Sequence, residues 1–297
     1  RMLLQRGGQN DLRSAKQHLD RLAEFAPGSP STMELVVTLA VKTDKKDEAR
    51  RALRGLIPND LSQVKPESLP LLGRVAELFT ELEDYETAEQ LYRFIAGKEP
   101  RFIPALASYL GTHREPDKCF ELLDQLQGKL SPPVLIQSAL AVLRARREDI
   151  GNEFVGRVQT WLDRALREDP QSVTLLLQQA ELHDLRGEYA QAAHIYRDLL
   201  SRSDVEGNSR AIVLNNLAFL LALGATPEDQ EGEAYRLVQE AVQILGPTSD
   251  ILDTRAMVYL SQKQSSDAIA DLELAVTDSP TASKWYHKAL AHLQDND

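Results

Sequence analysis

The sequence predicts an all-α solenoid of antiparallel helix hairpins, and three observations carry that prediction. A small residue followed four and seven positions later by larger or apolar residues recurs at Ala15, Ala49, Ala88, Cys119, Val158, Ala192, Ala234 and Ala268. Successive anchors lie 34, 39, 31, 39, 34, 42 and 34 residues apart, so three intervals agree and the rest scatter around them. A second small or compact side chain stands twelve residues before several anchors, at Val37, Ala76, Ala107, Ala180 and Ala256. Proline stands twelve residues after four of them, at Pro27, Pro100, Pro170 and Pro280.

Each spacing has a mechanical reading. Two helices joined by a short turn run antiparallel, so residues equidistant from the turn face each other. Small side chains at both places let the helices approach, and larger ones above and below interlock. In the stretch LRGEYAQAAHIY (185–196), Gly187 supplies the turn, Ala192 the close approach and Tyr196 the interlocking ring. Proline then ends the second helix, because it offers no N–H and clashes with the preceding turn.

In chain order, residues 1–29 read as a partial repeat and 30–282 as seven fuller ones. Residues 283–297 begin a further first helix that caps the array. Extra length at 57–68, 146–156, 203–210 and 224–233 is polar or carries Gly and Pro, and reads as surface loops. The whole of 1–297 is expected to be one array. The chain starts with Arg and not Met, so it reads as a fragment or processed form.

The small/small/aromatic/Pro pattern resembles that of the tetratricopeptide repeat (TPR) superfamily, whose unit is 34 residues long. Residues 69–102 and 249–282 carry it best, and the likeness spans nearly the whole chain. The 100–131 unit departs by being short, and Val158 by being bulkier than the family prefers. The resemblance implies a right-handed superhelical α-solenoid.

Composition narrows the function. Of 297 residues, 42% are hydrophobic and 27% charged, ordinary for a soluble folded chain. Net charge is 34 − 45 = −11 with no basic block, which argues against nucleic acid and anionic membrane as partners. The best apolar run, LAFLLALGA (217–225), is half a membrane span, so no direct membrane insertion is expected. A soluble cytoplasmic or periplasmic protein fits. The single Cys119 excludes an internal disulfide and a cysteine-rich zinc site.

The phosphate-binding, dinucleotide-binding, nucleophile-elbow and zinc-protease motifs are all absent from the sequence. No catalytic residue, metal site or cofactor is therefore expected. His183 and His194 straddle one turn, but as polar residues at helix edges. Trp161 and Trp285 are expected to fill core.

A binding face follows from the resemblance. In TPR arrays one face of each first helix lines the inner, concave surface. Here that face is mixed near Glu34 and Val41 and polar near Arg74 and Glu77. It turns apolar at Ile136, Gln137, Leu140 and Leu143, then Leu177, Gln178 and Glu181, then Ile212, Asn215, Asn216 and Phe219. A contiguous exposed apolar patch marks a contact site, although neighbouring helices can bury part of such a face themselves. Gln137, Gln178 and Asn216 share one register position, and a row of side-chain amides can bond a peptide backbone. The Lys/Asn/Arg carboxylate clamp of chaperone-binding TPR domains is not reproduced, since Arg74 and Lys284 lack the accompanying residues.

The expectation is a non-catalytic scaffold that holds a protein or peptide segment in this groove, with oligomeric state left open. Two alternatives stand beside it: the TPR arm of a larger enzyme such as a glycosyltransferase or kinase, and a bacterial envelope or polysaccharide-export assembly protein.

Overall fold

Four hairpin turns share one construction, and it sits five residues before the anchor each time. Asp44, Glu83, Gly187 and Lys263 have φ of 55°, 62°, 75° and 59°, the left-handed region. The next residue's N–H donates back across the turn: Lys45 to Ala40 O (2.8 Å), Asp84 to Phe79 O (2.9 Å), Glu188 to His183 O (2.8 Å) and Gln264 to Tyr259 O (2.9 Å). These bonds satisfy carbonyls that the ending helix leaves open, as a Schellman turn does. Glycine occupies this place without strain only at Gly187. The other three accept a backbone state that costs an L-residue about 1 kcal/mol, and the paired bonds hold them there.

The computed structural model describes residues 9–26, 29–113, 116–146, 151–224 and 232–295. Among these the elements are helical. In order they are α1 (Gln9–Phe25), α2 (Pro30–Lys42), α3 (Lys46–Arg54), α4 (Leu69–Glu81), α5 (Tyr85–Lys98), α6 (Ile103–His113), α7 (Pro116–Gln125) and α8 (Pro132–Ala145). Then come α9 (Asn152–Glu168), α10 (Val173–Leu185), α11 (Tyr189–Ser201), α12 (Gly207–Ala222), α13 (Glu233–Leu245), α14 (Ser249–Ser261), α15 (Ser265–Asp278) and α16 (Ala282–Asp295). The chain divides into two compact units, 1–148 and 149–297, each taken by itself below.

The anchors are core. All eight are at most 6% exposed, and Val37, Ala76, Ala107, Ala180 and Ala256 are all 0% exposed. Facing across the hairpin is direct in one case, where the Cys119 Sγ lies 3.5 Å from the Ala107 carbonyl oxygen, twelve residues upstream. Burial pushes the Cys119 thiol up to about 12, so at neutral pH it is a small apolar side chain. Pro27 lies outside the described residues.

In the first unit, the short 100–131 repeat is packed differently from the others. Its first helix α6 packs more extensively on α8 than on its own partner α7. Gly111 makes that possible: a Cβ there would stand 2.5 Å and 2.7 Å from the two methyls of Val142. Gly111→Ala is expected to lower stability by about 1–3 kcal/mol, as overpacking does. Urea unfolding should show Val142→Ala restoring part of that loss in the double variant; an additive loss would place the clash elsewhere.

The second unit shows the 34-residue register as contacts. Lys284 Nζ meets Asp250 Oδ1 at 2.7 Å and His287 Nδ1 meets Asp253 Oδ1 at 2.9 Å. Gln294 Nε2 donates to Leu260 O at 3.3 Å. Each pair is separated by 34 residues, so α16 lies on α14 in matching register. Ala256, Ala268, Leu272 and Ala291 form the core that α16 closes. Trp285 and Tyr286 are 54% and 64% exposed, whereas Ile251 and Leu252, one register earlier, are buried. Trp285, expected to fill core, is exposed in this structure.

Two of the expected loops are shorter than read. The first turn of α9 takes up 152–156 and that of α12 takes up 207–210. The 57–68 connection holds two 3-10 turns, Leu61–Gln63 and Pro66–Ser68. Most of 224–233 lies outside the described residues.

Candidate partner-binding face

The first-helix face was expected to be apolar and open, and its two ends behave differently. On α8, Ile136, Leu140 and Leu143 are buried. They belong to the packed core, because α8 also buries Leu135, Ala139 and Val142 and so turns several apolar rows inward at once. Only Gln137 of that group is exposed. The apolar groove wall expected at these three positions is therefore absent.

In the second unit the same register is partly open. Leu177 on α10 is half-buried and packs against the unit's core, Gln178 beside it is buried, and Glu181 is half-buried. The amide row is accordingly uneven. Gln178 points inward, Gln137 belongs to the other unit, and Asn216 donates from Nδ2 to the Tyr196 hydroxyl at 3.2 Å. Tyr196 is the aromatic four residues beyond the Ala192 anchor, so one residue serves both hairpin packing and the orientation of this amide. Sequence spacing found Tyr196 as core and gave no sign of its second contact.

One helix carries a continuous stripe. Ile212, Asn215, Asn216, Phe219 and Leu223 follow each other at helical spacing along α12 and its C-cap. Ile212 and Leu223 are 46% and 45% exposed, while the three between them are half-buried. Asn215 Nδ2 donates to Asn216 Oδ1 at 3.4 Å, and the Asn215 oxygen has no hydrogen-bond partner. Phe219 lies near His287 of α16, ring centroids 6.1 Å apart. Two uncovered aliphatic chains on one face are groups for which contact with another molecule is favourable.

The residues considered for other chemistry are engaged elsewhere. Arg74 is ion-paired with Glu77, and Lys284 with Asp250. His183 and His194 each meet a carboxylate, Glu188 at 2.6 Å and Asp198 at 3.0 Å. Trp161 is half-buried with the Arg157 guanidinium 6.0 Å from its ring. No group of three or more potential metal ligands occurs among the described residues. No described helix is long and apolar enough to cross a membrane.

Shared turns, paired small side chains and a 34-residue register make this an α-helical hairpin-repeat protein. No family model and no curated protein matches the chain. Solved structures of TPR proteins resemble it at low identity. A tetratricopeptide repeat protein from Parabacteroides merdae is 18% identical with a TM-score of 0.43, covering 98% of each chain. A thermophilic TPR protein of Thermus thermophilus is 18% identical with a TM-score of 0.37, over 76% of this chain and 99% of that one. The TPR domain of P58(IPK) is 14% identical with a TM-score of 0.36, over 99% and 95%. Likeness at this level says nothing of function.

Proposed function

We propose that the chain is a non-catalytic interaction scaffold and that its second unit holds a protein segment on the first-helix face. The observation that carries this reading is the α12 stripe, in which exposed Ile212 and Leu223 flank a patch of half-buried amides and Phe219. The aliphatic ends would supply hydrophobic burial. The half-buried amides of Asn215 and Asn216 beside them would set the segment's register. Leu177 and Glu181 on α10 extend the face, while Ile136, Leu140 and Leu143 act as the scaffold beneath Gln137.

The test compares the intact chain with Ile212→Asp/Leu223→Asp, both immobilised, for recovery of partners from the source cell, identified by mass spectrometry. These positions are exposed, so melting temperature should stay within a degree or so of the parent. Recovery of the specific partner is expected to fall by about tenfold or more, the loss of a hot-spot side chain. Equal recovery by both forms would reject the stripe as the binding face.

A further inference from the structure

A separate groove in the first unit, bounded by α1, α2 and the start of α3, is not explained by the α12 stripe. It encloses about 650 Å³. Leu12 and Leu19 of α1 and Leu39 of α2 give it an apolar wall. Arg13, Lys16, Lys42 and Lys45 stand around that wall, against two acids, Asp20 and Glu48.

The balance of charge here runs against the rest of the protein. The chain as a whole carries −11, yet this rim has four cations and two carboxylates. Lys45 pairs with Glu48 at 3.3 Å. Arg13, Lys16 and Lys42 are exposed and meet no carboxylate among the described residues. Three of the four cations of α3 are ion-paired, Lys46 with Glu83, Arg50 with Asp47 and Arg54 with Asp84, while Arg51 is exposed. Unpaired cations around an apolar trough are complementary to an apolar stripe flanked by carboxylates. A trough framed by helices accepts the ridge of another helix, read at i, i+3, i+4 and i+7.

We propose that this groove docks an acidic amphipathic helix of a partner protein. Its apolar stripe lies on Leu12, Leu19 and Leu39, and its carboxylates meet Arg13, Lys16 and Lys42. The site is distinct from the α12 face, so the two can be inactivated separately.

The probe is a fluorescein-labelled helical peptide built from the heptad Leu-Glu-Glu-Leu-Leu-Glu-Glu, with a matched peptide carrying Lys for every Glu. Binding to the full chain is read by fluorescence anisotropy at low and high salt. The Glu peptide is expected to bind, more weakly as salt rises, because exposed charges are screened. Arg13→Glu/Lys16→Glu/Lys42→Glu should weaken it by about tenfold or more with an unchanged melting temperature, since all three side chains are exposed. Ile212→Asp/Leu223→Asp should leave it unchanged. Binding of the Lys peptide as well as the Glu peptide, binding of neither, or indifference to the charge reversal would each overturn the proposal. A dimer in sedimentation that dissociates on the same reversal would assign the groove to a second copy and overturn it too.

Discussion

Ala192→Asp is expected to unfold the second unit, while Ala190→Asp, two residues away on the same helix, leaves it folded. Ala192 is fully buried in the core cluster that also holds Ala180 of α10. A carboxylate there would have neither room nor partner, and the cost is about 5 kcal/mol or more. Ala190 is exposed in the first turn of α11, where an acid interacts favourably with the helix N-terminus. Circular dichroism and urea unfolding of the two variants give the answer. Similar losses at both positions would mean that general helix propensity, and not the paired small side chains, holds the hairpin together.

The second large effect is expected at Arg255. Its Nε and a terminal nitrogen donate to the two carboxylate oxygens of Asp271, both at 2.6 Å, joining the first and second helices of the α14–α15 hairpin. Asp271 is buried, and these bonds hold the Arg255 guanidinium above its ordinary pKa. Arg255→Met removes the partner and leaves a buried carboxylate without a cation, at about 3 kcal/mol. Arg255→Met/Asp271→Leu should recover most of that stability, because the uncompensated charge is gone. Urea midpoints of the two single variants and the double decide it. A double variant as unstable as the sum of its parts would show the pair to be ordinary packing.

The fold was legible because it is repetitive. Spacing from Ala15 to Ala268 placed every hairpin anchor, and the partners twelve residues upstream are buried with them. The left-handed turn residue was legible only at Gly187. Asp44, Glu83 and Lys263 occupy the same place, and nothing in an acidic or basic side chain announces a positive φ.

The candidate face was legible only in part, and α8 shows why. Periodicity tells which residues share a helix face, but not how many neighbouring helices that face meets. Leu140 and Phe219 hold the same register position, yet Leu140 is buried and Phe219 is half-buried. The difference lies in how many rows of α8 are covered, since Leu135, Ile136, Ala139, Leu140, Val142 and Leu143 are all buried. Trp285 differs in the opposite direction, exposed where Ile251 at the same register on α14 is buried. The cationic groove was missed because its members are distant in sequence. Arg13 and Lys16 lie far along the chain from Lys42 and Lys45, and only the fold brings the four around one cavity.

Amide hydrogen exchange of the chain with and without its captured partner tests the central claim most directly. The account predicts slowed exchange concentrated in residues 207–223, with residues 265–278 on the second-helix side unchanged. Protection confined to the second helices, or none on α12, would contradict it.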